Sequence, residues 1–210
     1  MEKVTAFILR PAKGRKIEIL IFRHPNAGLQ LPAGTVEPGE APETAVLREV
    51  EEESGLTEIR LVKKLGSEKL DLPAGSAYLK QSLRLRAEPS SAAPEVEPEL
   101  GRGWLVETGE AQGKFVRVTY REEDLGGKKK RLLWQAAGWA PASALDGKLT
   151  RHFYWLQTRS STPNEWEWPS DHGHVFKLTW VPLEPPPALV EPQRGWLKWA
   201  ADIDWMDTLS

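Results

Sequence analysis

The sequence predicts an α/β protein with a β-rich middle section, and three observations carry that expectation. "TAFILR" and "KIEILIFRH" are β-rich runs separated by the turn "PAKGRK", so the chain opens on a hairpin. A helix then runs from about Ala41 to Ser54. Pro42 suits its first turn, where a missing N–H costs nothing, and Gly55 suits the position just past its end. Residues 71 to about 149 hold only short β runs: "AYLKQSLRLRA", "GRGWLVETG", "KFVRVTYRE" and "KRLLWQAAGW". Turns such as "DLGGKKK" separate them, a spacing typical of a small antiparallel barrel.

The other segments follow from the same signals. "NAGLQLPAG" reads as a loop with a short extended piece, and "EIRLVKKLGS" as a strand. "AEPSSAAPEVEPE" is Pro- and Ser-rich and predicts no regular element. From Thr150 long strands return: "RHFYWLQTR", a loop "SSTPNEWEWPSDHG", then "HVFKLTWVPL". After the bridge "EPPPALVEPQ", Trp196, Trp199, Ile203 and Met206 recur every three or four residues, as on an amphipathic helix packed on a core.

Composition narrows the classes of function. The 210 residues suffice for a large domain or two small ones, with 40% hydrophobic and 28% charged residues as in ordinary globular proteins. A net charge of −2 gives no electrostatic reason to expect nucleic acid or an anionic membrane as partner. The absence of cysteine excludes disulfide and thiolate chemistry and suits a reducing compartment. No apolar run reaches the ~20 residues needed to span a bilayer. "MEKVTAFILR" leads straight into strand-like sequence without a secretory signal, so a cytoplasmic protein is expected. Seven of the ten tryptophans follow residue 150, which assigns much of the core or a pocket wall to the late chain.

The chemistry concentrates between Gly34 and Leu56, where "GTVEPGEAPETAVLREVEEESGL" holds seven glutamates. Glu49, Glu52 and Glu53 stand at i, i+3 and i+4, so at about 100° per residue their carboxylates share a helix face. Val46, Leu47 and Val50 project to an adjoining face that packing would bury. Like charges at these spacings repel, yet Arg48 is the sole basic residue from Pro38 to Gly55. A divalent cation turns that repulsion into coordination. Carboxylates without Cys or His nearby favour a hard ion, Mg²⁺ or Mn²⁺ rather than Zn²⁺, and such a site serves phosphoryl or diphosphate chemistry. Gly34 and Gly39 let the preceding backbone approach closely, with the Ala33 carbonyl the candidate to complete the coordination.

Gly34, five free positions, Glu40, seven free positions, Arg48-Glu49, aliphatic Val50, one free position, Glu52-Glu53, one free position, Gly55 and aliphatic Leu56 resemble the complete Nudix box, with no departure. A chance match is rarer than about one in a million at average residue usage. The resemblance implies an α/β/α sandwich and divalent-metal-dependent hydrolysis of a nucleoside diphosphate linked to another moiety. It assigns Glu52 and Glu53 as principal metal ligands and Glu49 as a third ligand or activator of the water. Arg48 would orient the glutamates, and Glu40 would brace the loop. Water would attack one phosphorus of the pyrophosphate, with no covalent enzyme intermediate.

The same resemblance makes the late strands the second half of the domain, so residues 1–70 and 150–210 flank an inserted β-barrel at 71–149. An alternative gives "AYLKQSLRLRA" to the main sheet and shrinks the insert. "AAGWAPASAL" resembles the last strand and closing turn of bacterial Src-homology-type barrels. For the substrate, Trp166 or Trp168 is the candidate to stack on a base or sugar, and Arg23 with His24 the candidates to meet phosphates. Glu165, Glu167, His172 and His174 are candidates for a base outside the box. "DHGH" as a transition-metal site and "GGKKKR" as a polyanion site are the weaker readings beside ordinary surface roles. For the insert, a pocket wall, a homodimer contact and a peptide or protein contact stay open. A non-catalytic nucleotide or metabolite sensor is the rival reading, against which the intact set of three metal glutamates stands.

Overall fold

The structure is a computed structural model and describes residues 1–13, 16–124, 131–159, 161–170, 173–201 and 203. His172 of "DHGH", Met206 of the terminal stripe and residues 126–130 of "GGKKKR" lie outside the described residues. In chain order the elements are β1 (Glu2–Ala12), β2 (Lys16–His24), β3 (Gly28–Gln30), β4 (Ala33–Thr35), α1 (Pro42–Ser54) and β5 (Ile59–Asp71). Then follow β6 (Ser76–Leu79), β7 (Leu83–Arg86), β8 (Glu95–Leu100), β9 (Leu105–Gln112), β10 (Phe115–Asp124), β11 (Arg131–Pro141) and β12 (Leu145–Asp146). The chain closes with β13 (Lys148–Thr158), β14 (Glu165–Pro169), β15 (Val175–Pro182), α2 (Gln193–Trp196) and α3 (Lys198–Ala201). None of the described helices is long and apolar enough to cross a membrane.

Two compact units result, one of Glu2–Ser67 with Arg151–Ser210, the other of Met1 with Glu68–Thr150. The first is built on a sheet of order β14-β15-β2-β1-β13-β5, with β3 also on β2 and β4 also on β1. The opening hairpin pairs Leu9 with Ile19 and Ala12 with Lys16. Its central strands are covered on both faces, so Phe7, Ile8, Leu9, Ile19, Leu20, Ile21 and Phe22 are all buried. That is why they read as continuous apolar runs without polar alternation. On one face Val4, Ala6, Ile8, Leu20 and Phe22 pack against Ala45, Val46 and Val50 of α1. On the other, Phe7, Leu9, Ile19, Ile21 and Phe153 pack against Trp196, Ala200 and Ile203. Helix, sheet and helical C-terminal segment therefore form three layers.

Several expectations are corrected. Leu47 does not join the buried face of α1: it is 37% exposed, and Ala45 takes its place. One residue on from Val46 is a further ~100° of rotation, enough to carry Leu47 past the sheet. The terminal amphipathic helix is instead two single-turn helices, α2 and α3. The loop "SSTPNEWEWPSDHG" contains the edge strand β14, paired with β15 through Trp166↔Leu178 and Trp168↔Phe176. Its period-2 alternation of Glu and Trp carries the strand signal, and Pro169 is tolerated at its end because β14 is an edge.

The second unit is a seven-stranded sheet of order β12-β6-β9-β10-β11-β7-β8 around Leu79, Leu85, Leu100, Val106 and Val118. Both runs of "AYLKQSLRLRA" belong to this sheet, as β6 and β7. Gly138 is required where β11 meets β7, because a Cβ there would stand 2.8 Å from the Arg86 carbonyl oxygen. β8 emerges from the Pro/Ser-rich stretch that predicted no element. It too is an edge, which is why Pro98 is compatible with it.

In the first unit α1 is tied to β13 by Tyr154, whose hydroxyl donates to Glu43 Oε1 at 2.8 Å. Burial pushes the Tyr154 phenol up, and its hydrogen bond holds the Glu43 carboxyl below its ordinary value. A lowered carboxyl contributes stability above its unfolded value and loses it as pH falls through the folded one. Tyr154→Phe is expected to lower stability by about 1 kcal/mol at neutral pH. The gap to wild type should narrow in acid, as thermal unfolding of both proteins at about pH 7 and about pH 3 would show. An equal gap at both would contradict the coupling.

Candidate functional site

α1 begins at Pro42 with Ala41 extended at ψ 142° and ends where Gly55 adopts φ 73°, its N–H bonded to the Glu51 carbonyl. Only glycine enters that left-handed conformation without strain. The helix thereby presents Glu49, Glu52 and Glu53 beside β4, which is held on β1 by the pairs Val4↔Gly34 and Thr5↔Ala33. Ala33 and Thr35 are two residues apart, so their N–H groups point the same way. Ala33 N–H donates to Glu53 Oε2 at 2.9 Å and Thr35 N–H to Glu49 Oε1 at 3.0 Å. Gly34 lies between them. A Cβ on it would fall 1.8 Å from the Glu49 carboxyl carbon, so the close approach of strand and helix requires glycine.

Arg48 organises the remaining carboxylates. Its Nε and Nη2 grip Glu40 in a two-pronged pair, each at 3.0 Å. Nη1 donates to Glu49 Oε1 at 3.0 Å and to Glu52 Oε2 at 2.9 Å, and Nη2 also reaches the Thr35 carbonyl at 3.0 Å. All five guanidinium N–H groups are thus used. Glu40 in turn accepts the Glu37 N–H at 2.9 Å, closing the turn at Gly39 (φ 81°). The Glu40 pair holds the Arg48 guanidinium well above its ordinary value. Burial pushes the Glu49 carboxyl up, and Arg48 opposes the shift.

The structure therefore brings together Ala33, Arg48, Glu49, Glu52 and Glu53. Among the described residues no three acidic or imidazole side chains form a ready-made metal cluster. Arg48 stands among Glu40, Glu49 and Glu52 and holds them on its own N–H groups. The donor set nevertheless fits a hard divalent ion: carboxylate and backbone oxygens, with Glu52 40% exposed.

The other sequence candidates fall elsewhere on the first unit. Arg23 is exposed near the end of β2, in register with Lys177 of β15. His24 Nδ1 accepts the Asn26 N–H at 3.0 Å, and its ring lies 4.9 Å from that of His174. Glu165 is exposed at the start of β14, and Glu167 pairs with Lys177 at 3.4 Å. Trp166 is half-buried with its indole N–H donating to the Ser54 carbonyl at 2.9 Å, while Trp168 covers Gly55. Sequence reasoning missed this contact between β14 and the end of α1. Its one sequence signal is the glycine at position 55.

Gly34→Ala is expected to cost roughly 2 kcal/mol, because the added methyl drives Glu49 from the Thr35 N–H. Thermal unfolding checks this, and a melting temperature equal to wild type would contradict the close approach.

Comparison with known proteins follows the same residues. The NUDIX domain model matches residues 1–110 of the chain, more than half of it. No curated protein matches. Among solved structures, a Caenorhabditis elegans Ap4A hydrolase in a binary complex is 15% identical, covering 95% of this chain and 94% of that one, with a TM-score of 0.45. The Mycobacterium smegmatis Nudix hydrolase RenU is 11% identical over 100% of this chain and 88% of that one, TM-score 0.45. The NUDIX domain of Shewanella oneidensis NrtR, complexed with ADP ribose, has the same identity, coverage and TM-score: 11%, 100% and 88%, and 0.45. The domain match, together with a box complete from Gly34 to Leu56, decides the assignment: the chain belongs to the Nudix family.

Proposed function

We propose that this protein is a divalent-metal-dependent hydrolase that cleaves the pyrophosphate linkage of a nucleoside diphosphate joined to another moiety. The observation that carries the reading is the set of box carboxylates gathered beside β4, with Glu40, Glu49 and Glu52 on Arg48 and Glu53 on the Ala33 N–H. Glu49, Glu52 and Glu53, with the Ala33 carbonyl, would hold the ion, Mg²⁺ by preference with Mn²⁺ as a substitute. Bound there, a hard ion supplies positive charge to the phosphoryl oxygens.

The chain's own residues do the rest. Arg48 keeps the glutamates oriented through charge-assisted bonds. Glu49 uses Oε1 for the Thr35 N–H and for Arg48, so Oε2 is the oxygen left either to reach the ion as a third ligand or to orient the attacking water. Arg23 is assigned to the substrate's phosphates and Glu165 to its leaving moiety, both from exposed positions. Attack at phosphorus by water needs no covalent intermediate on the protein.

Glu52→Gln and Glu53→Gln each replace one carboxylate oxygen by an amide at nearly constant shape. Each is expected to reduce turnover of the preferred diphosphate compound more than tenfold while the circular dichroism spectrum stays that of wild type. Retention of more than about a tenth of the wild-type rate by both variants would contradict the assignment.

A further inference from the structure

We infer that Trp166 and Trp168 of β14 are positioning residues that set the cation affinity of the helix carboxylates. The inference rests on the hydrolase reading above. The last turn of α1 carries Glu51, Glu52 and Glu53 and no basic residue. Carboxylates there oppose the helix dipole, whose C-terminal end is already negative. Such a turn is prone to fray, and the bonds of Glu52 to Arg48 and of Glu53 to the Ala33 N–H hold its side chains but not its terminal backbone.

Two contacts from one strand hold it. Helix ends leave carbonyls without intrahelical partners, and the Ser54 carbonyl, directly after Glu53, accepts the Trp166 indole N–H at 2.9 Å. The Trp168 ring lies against the Gly55 α-carbon, so closely that a Cβ there would stand 2.6 Å from ring carbons Cε3 and Cζ3. Trp166 and Trp168 are two residues apart in a strand and so present the same face. The pairing of β14 with β15 fixes where that face falls. Ser54 itself is buried, with its hydroxyl donating back to the Val50 carbonyl. The turn is therefore gripped at its carbonyl, its side chain and its terminal glycine.

Mn²⁺ titration followed by electron paramagnetic resonance tests this without turnover. Trp166→Phe keeps an aromatic ring, though a smaller one, and removes the N–H. Trp168→Leu removes the exposed ring that covers Gly55. Trp180→Phe is the control, since its indole N–H donates to Thr162 Oγ1 at 3.0 Å, a bond that involves neither Ser54 nor Gly55. Trp166→Phe and Trp168→Leu are expected to weaken Mn²⁺ binding roughly tenfold. Trp180→Phe is expected to bind as wild type does, although it too loses a tryptophan hydrogen bond. Wild-type affinity in both β14 variants, or equal weakening in the control, would overturn the inference. Failure of the wild-type protein to bind Mn²⁺ would overturn the hydrolase reading itself, and the inference with it.

Discussion

Three of the four carboxylates at the proposed site depend on one guanidinium. Arg48 stands among carboxylates that would otherwise repel one another, and it spends all five N–H groups on Glu40, Glu49, Glu52 and the Thr35 carbonyl. Lysine, a point charge with three donors, could not replace that planar fork. The arrangement ties the helix to the strand before it and to the turn between them. Two glycines allow the close approaches around it: Gly34 lets the strand meet Glu49, and Gly55 lets Trp168 close over the helix end.

The same arrangement explains why the glutamates do not collapse into a ready-made cluster. Glu49 divides Oε1 between Thr35 and Arg48, while Glu53 is drawn to the Ala33 N–H. These bonds keep the carboxylates apart yet aligned, with Glu49 shielded and Glu52 open to solvent. A cation arriving there competes with an arginine for oxygens already oriented toward it. In the proposed metal site, order in the last helical turn would govern how much reorganisation binding requires, which links the β14 tryptophans to the proposed ligands.

The box was legible because its residues lie close in sequence and its spacing maps directly onto helical geometry. Arg48, Glu49, Glu52 and Glu53 come together much as i, i+3 and i+4 demand. The hairpin of β1 and β2 was legible for the same local reason. What escaped depends on contacts distant in sequence. Trp166 meets Ser54 across more than a hundred residues, and no local pattern announces that. β8 and β14 were hidden by their prolines, which only the tertiary fact of being an edge makes acceptable. Leu47 was misjudged because one further step of about 100° around the helix carries it past the sheet, leaving it exposed.

The central claim is that this carboxylate and arginine site is a metal-dependent centre for hydrolysis of phosphoric anhydrides. The most direct test is release of phosphate or nucleotide from a panel of sugar nucleotides, dinucleoside polyphosphates, nucleoside triphosphates and diphosphate cofactors. It should be run with Mg²⁺, with EDTA, and with Mg²⁺ restored. The account predicts that one class is hydrolysed, that EDTA abolishes the reaction and that Mg²⁺ recovers it. Hydrolysis indifferent to EDTA would contradict it. So would survival of every compound while one of them raises the melting temperature, the behaviour of a sensor that binds its ligand without cleaving it.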